Sequence, residues 1–171
     1  MEVCNFMQKG CYDISRVIPE VRQGFLDNFD MGEYSGFVEG LVYFKGKVGN
    51  RVMSTCALPG DLTSVIRVSD LSFRTYSWHE FYSVLVLHEG LHAQQKNFER
   101  NFPNGKVIKV NFRSGNSITY SEKDVRQEIA AHRNQIEDPS FAMCSPKFQG
   151  CVNNWLNFYE NFSDKYIKLI D

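Results

Sequence analysis

Residues 76–98 read YSWHEFYSVLVLHEGLHAQQKNF, and the reading of this stretch decides the fold. Trp78, Phe81, Val84, Leu85 and Leu91 recur at helical spacing, which predicts one long helix over 76–98. Leu85, Val86 and Leu87, just ahead of His88, mark that part of it as interior. His88 and His92 stand four residues apart on the same side, with Glu89 beside the first. His-Glu-x-x-His on a helix places two imidazoles one turn apart, able to share one zinc ion. It also places a carboxylate where it can take a proton from water activated by that zinc. Without a metal the same residues are core histidines that need hydrogen-bond partners. Gly90 costs roughly 1 kcal/mol of helix propensity against alanine, which points to close passage of another backbone.

Downstream, Pro103-Asn104-Gly105 ends the helical region. Residues 107–112 alternate as a strand, 114–116 form a turn and 117–120 pair back. That hairpin is read as scaffold, with an edge that takes up an extended peptide as the bolder role. Ser121 then looks like an N-cap, with Asp124 at the capping-box position, for a helix running to about residue 136. Val125, Ile129, Ala130 and His132 lie near its inner side, with Glu128 close to them, and Ala130-Ala131 suggest close helix packing. Asp138-Pro139 ends it. A loop over 139–151 follows, then a tail over 152–170 with Trp155, Phe158, Tyr159, Phe162 and Tyr166 at helical spacing, read as a packing helix.

Upstream, residues 12–30 suit one or two helices, with Pro19 in a first turn. Residues 41–44 and 48–55, joined by Lys45-Gly46-Lys47, read as a hairpin, and Pro59-Gly60-Asp61 as a turn. Residues 64–73 read as another strand, with Ile66 and Val68 opposite Val65, Arg67 and Ser69.

A catalytic zinc keeps three protein ligands and an open position. Glu128 and His132, four apart, share one helix face and are the candidates for the third ligand. Glu128 completes a His2Glu set with His88 and His92. His132 is its rival, or a residue that orients a ligand. Glu137 and Asp138, at the helix end, are held less rigidly. Tyr120, and His132 if it is not a ligand, are candidate donors to a developing oxyanion.

His88, Glu89, His92 and Glu128 resemble the motif residues of zincin metallopeptidases of the gluzincin type, the group typified by thermolysin. The resemblance covers residues 64–136 and is closest to compact HExxH domains. It implies zinc held by His88, His92 and Glu128, and Glu89 as general base in peptide-bond hydrolysis, with a protein or peptide as substrate. In that family the downstream helix carries Glu-x-x-x-Asp. Here it carries Glu128-x-x-x-His132, and the gap from His92 to Glu128 is longer than in the thermolysin-like pattern. The expected fold is α+β: a compact zincin-like domain with a small antiparallel sheet beside the HExxH helix and a second, ligand-bearing helix. Other readings are an inactive or non-peptidase zincin serving as a metal-binding interaction module, a metal-free structural domain, and a toxin or effector that cleaves a host protein.

At 171 residues and 43% hydrophobic, the chain suits a single domain, 1–171, with 1–36 and 139–171 as terminal packing segments. A net charge of −1 gives no basic field for nucleic acid, and no run is long and apolar enough for a membrane. No signal peptide is evident, which suggests a cytoplasmic protein or one exported by a signal-independent route. Five cysteines leave at least one thiol free within a chain. Cys4 and Cys11 repeat the spacing of Cys144 and Cys151. Either pair could close a small loop, the two ends could be stapled together, or all could be free thiols along with Cys56.

Overall fold

Three strands form the main sheet of this computed structural model, which describes residues 13–46, 51–58, 60, 62–111 and 117–167. They are β1 (Val38–Phe44), β2 (Met53–Ala57) and β3 (Ser64–Ser69). β3 is central, with β1 parallel to it on one side and β2 antiparallel on the other. The sheet is therefore mixed rather than antiparallel, and the hairpin expected between 41–44 and 48–55 does not form. Two turn signals competed for the same strand. The one around Gly60 prevailed: Leu58 N–H donates to Thr63 C=O at 3.2 Å and Gly60 takes φ +85°. It folds β2 back onto β3, whose Ile66 and Val68 are wholly buried and gain most from a strand on each side.

The strand expected over 64–73 stops at Ser69, and Asp70–Thr75 forms a short helix, α2. It follows α1, Arg22–Asp27, which is preceded by 3₁₀ turns at Ile14–Arg16 and Pro19–Val21. Asp70 explains the change. Its carboxylate pairs with the buried Arg22 guanidinium and accepts from the Tyr43 hydroxyl at 2.8 Å. Arg22 in turn donates to Val17 C=O at 2.8 Å and lies over the Phe73 ring. The Tyr43 hydrogen bond and the nearby arginines outweigh desolvation and hold the Asp70 carboxyl below its ordinary range. A depressed carboxylate pKa stabilises the fold above the unfolded value of 3.8, and that stability is lost as pH falls through the folded value. Asp70→Asn should cost about 3 kcal/mol at neutral pH by stranding Arg22. In urea melts, the gap between variant and wild type should shrink below pH 4.

The helix expected over 76–98 is present over residues 78–98 and is called α3. It opens with a Ser77/Glu80 capping box. Its winding is not uniform: Trp78–Tyr82 and Leu91–Phe98 are α-helical, but Ser83–Gly90 is a π-helix. Leu85, Val86 and Leu87 are buried, and Phe25, Phe29, Phe73, Trp78 and Phe81 pack edge-on or tilted around the first turns. What passes close to Gly90 is a ring, not a backbone. A Cβ there would lie 2.7 Å from Cδ2 of Tyr34. Tyr34 is buried and its hydroxyl accepts from Asn134 at 3.0 Å, so the ring has no room to retreat. Gly90→Ala should therefore destabilise the chain by about 1–3 kcal/mol, against the roughly 1 kcal/mol gain that helix propensity alone would give. Thermal denaturation reads the sign.

β4 (Val107–Asn111) and β5 (Ser117–Ser121) form the expected antiparallel hairpin. Its turn residues 114–116 lie outside the described residues. Helix α4 (Glu122–Glu137) begins at the Ser121/Asp124 capping box read from the sequence. The loop expected over 139–151 is largely helical: Pro139–Met143 is a 3₁₀ turn, and α5 runs from Pro146–Ile167. Pro146 starts that helix well because its missing N–H is not needed there, and Ser145 Oγ accepts from Phe148 N–H. Cys144 and Cys151 do not close a loop; both are free thiols, as is Cys56. Cys144 Sγ is buried and reaches Ser140 C=O, and burial pushes its thiol up to about 11. Pairings of Cys4 or Cys11 lie outside the described residues. The whole is an α+β arrangement with α3 packed on β2 and β3 and α4 laid across the π-helical part of α3. Among the described residues, no helix is long and apolar enough to cross a membrane.

Candidate metal centre

Four side chains from two helices converge where α4 crosses α3. From α3 come His88 and His92, whose Nε2 atoms are 3.2 Å apart. From α4 comes Glu128, with Oε2 3.5 Å from His88 Nε2 and 3.7 Å from His92 Nε2. His132, one turn further along α4, has its Nε2 3.9 Å from the same oxygen and its ring 4.7 Å from that of His88. His88, Glu128 and His132 thus form a second trio, with ligand atoms all within 4.8 Å.

The tautomers of two histidines follow from Gln135. Its amide nitrogen donates to Ser83 C=O at 3.2 Å and to Ser83 Oγ at 3.0 Å. A carbonyl can only accept, so the amide orientation is fixed. Gln135 Oε1 then faces Nδ1 of His88 at 3.1 Å and Nδ1 of His132 at 3.0 Å, and both Nδ1 atoms must carry hydrogen. Gln95 Oε1 lies 3.2 Å from His92 Nδ1, and accepting there calls for the same tautomer of His92. In the neutral rings, all three Nε2 lone pairs are left facing Glu128. Lone pairs of His88 and His92 at 3.2 Å repel unless a cation, proton or metal, lies between them.

The electrostatics agree. Burial alone would lower the His88 pKa, but the Glu128 carboxylate raises it above its ordinary value. Burial alone would raise Glu128, but the two α3 histidines hold it far below the carboxylate range. Burial, and then repulsion from His88, hold His132 at about 4, so that ring is neutral near pH 7. Its outer face stacks on Tyr159 at 5.8 Å. The Tyr159 phenol, pushed upward chiefly by burial, stays protonated.

Glu89, also on α3, is not part of the cluster. It is buried against β2, where the Thr55 hydroxyl donates to Glu89 Oε2 at 2.6 Å. With His92 and Glu128 it lines a cleft of about 210 Å³. Tyr120 and Thr119 of β5 line the same cleft, so the hairpin serves as a wall as well as scaffold. Tyr120 is largely buried and hydrogen-bonded to Tyr159. His132 is not among the residues lining the cleft. Glu137 and Asp138 are not in the cluster, and Asp138 instead caps the turn at Pro139–Met143.

Several contributors were missed from the sequence. Gln135 stands three residues after His132 and Lys96 four after His92, spacings that put each on the face of a named candidate. Thr55 and Arg51, from β2 and its approach, gave no local signal. If the cluster holds zinc, Gln135→Leu should lower its affinity by about 10–100-fold, the usual effect of losing a hydrogen bond behind a ligand. Competition with a chelating dye measures it, and a melting curve checks that the variant folds.

No family model, no curated protein and no solved structure matches the chain.

Proposed function

We propose that this chain is a zinc-dependent peptidase, with His88, His92 and Glu128 holding the metal and Glu89 as general base. One observation carries the reading: two imidazole Nε2 atoms and a carboxylate oxygen face one another at 3.2, 3.5 and 3.7 Å. A tetrahedral ion at the usual zinc–nitrogen distance spaces its ligand atoms about 3.4 Å apart. The donor set, two neutral imidazoles and an anionic carboxylate, suits zinc as well as the spacing does.

When bound, zinc supplies Lewis acidity. The other roles belong to the chain. Glu89, steadied by Thr55, takes a proton from the attacking water and returns it to the leaving amine. Gln135 and Gln95 keep the imidazole Nε2 atoms turned toward the centre. Tyr120 and the β5 backbone form the wall against which a substrate lies, and Tyr120 is the candidate donor to the developing oxyanion.

The test is metal content by elemental analysis, beside cleavage of a mixed peptide set read by mass spectrometry. One zinc per chain with cleavage is expected. A chain that takes up no zinc after resupply sinks the proposal. A second reading, a metal-binding module without hydrolysis, is favoured by the position of His132. A fourth donor within reach would close the coordination sphere, as in structural sites. Zinc without any cleavage would favour that reading.

A further inference from the structure

Every residue lining the cleft beside the four-residue cluster ends in a charged group, a hydroxyl, an amide or an imidazole, and no aliphatic or phenylalanine side chain is among them. Its charges answer one another. Glu128 belongs to the histidine cluster, which leaves Arg51 and Lys96 against Glu89 and Asp124. Both of those carboxylates act on the Lys96 ammonium, which Thr55 C=O also holds. Gln127 of α4 lines the same cleft and is 6% exposed. Its Nε2 donates to the Glu99 carboxylate at 2.9 Å. A carboxylate only accepts, so the amide orientation is fixed and Gln127 Oε1 is a set acceptor. Among the described residues, no group donates to that oxygen. Donors come from the exposed Arg51 guanidinium, and Thr119, also exposed, adds a hydroxyl.

We propose that this cleft takes an uncharged, hydrogen-bonding side chain of the substrate, a carboxamide above all, next to the scissile bond. This rests on the peptidase reading for the bond cut, but not for the side chain bound. A carboxamide offers hydrogens to Gln127 Oε1 and an oxygen to Arg51. Leucine, of the same shape as asparagine, would displace water from these groups and return no hydrogen bond. Aspartate has no hydrogen for Gln127 and would meet Glu89 and Asp124, and lysine has no acceptor for Arg51 and would meet both cations.

Three probes of matched shape test it: N-acetyl-X-alaninamide with asparagine, aspartate or leucine as X, each made also as N-acetyl-alanyl-X-amide so that X can lie on either side of the bond. Binding is followed by NMR shifts on the full chain, zinc-loaded and chelator-stripped, for wild type, Gln127→Met and Arg51→Met. The expected result is that the asparagine probe binds about tenfold tighter than the leucine and aspartate probes, the scale of one hydrogen bond. The preference should hold with and without zinc and shrink in both variants. Leucine or aspartate binding as tightly as asparagine overturns the proposal. So does a chain that binds none of the probes, or a preference for asparagine untouched by either substitution. Arg51 is exposed, so its variant reports even if Gln127→Met fails to fold. Failure of the peptidase reading would appear separately, as intact peptides in the cleavage assay beside a retained preference for asparagine.

Discussion

Glu128→Ala should retain less than about one hundredth of the wild-type zinc affinity, while His132→Ala should lose much less. Losing a partner behind a ligand costs about 10–100-fold, and loss of the only anionic donor should exceed that. The geometry separates the two residues. Glu128 Oε2 is within 3.7 Å of both α3 imidazoles, whereas His132 lies 3.9 Å from that oxygen and stacks on Tyr159. Elemental analysis and chelator competition on both variants read the difference. Equal losses would make His132 a full ligand and favour the closed, non-hydrolytic site.

Glu89→Gln should lower peptide cleavage by about 10²–10⁴-fold, the usual contribution of a general base, with zinc content unchanged. The amide oxygen of glutamine can still accept from Thr55, so the substitution removes proton affinity and little else. Glu89 faces β2 rather than the cluster, which is why the metal should stay. Cleavage that survives would place the base elsewhere, and loss of zinc would make Glu89 a ligand.

The helices that carry the candidate site were legible because their signals are local. His88, Glu89 and His92 follow from spacing on one helix, and the Ser121/Asp124 box fixed the start of α4 and so the face shared by Glu128 and His132. Strand pairing was not legible in the same way. Lys45-Gly46-Lys47 and Pro59-Gly60-Asp61 are both plausible turns, and only the burial of β3 on both sides decides between them. The strand expected to continue to Phe73 ended at Ser69 because Asp70 answers Arg22, 48 residues away. Thr55 and Arg51 reach the cleft through the pairing of β2 with β3, so no pattern within their own segment could announce them. Gln135 was legible in principle, by helical spacing from Glu128, but a glutamine draws no attention until its two imidazole partners are seen.

The π-helical stretch Ser83–Gly90 has a consequence for how this chain tolerates changes in length. A π turn holds one residue more than the α turn it replaces, so the stretch resembles a one-residue insertion that was kept. Deleting one residue within 84–86 would let α3 wind evenly, with both halves still facing their own neighbours. It would also re-aim the carbonyls of Ser83 and Leu87, which accept from Gln135 and Asn134 of α4. Two acceptors of the π-helical stretch thus tie it sideways to α4. A shortened α3 would be a better helix attached to a looser cluster.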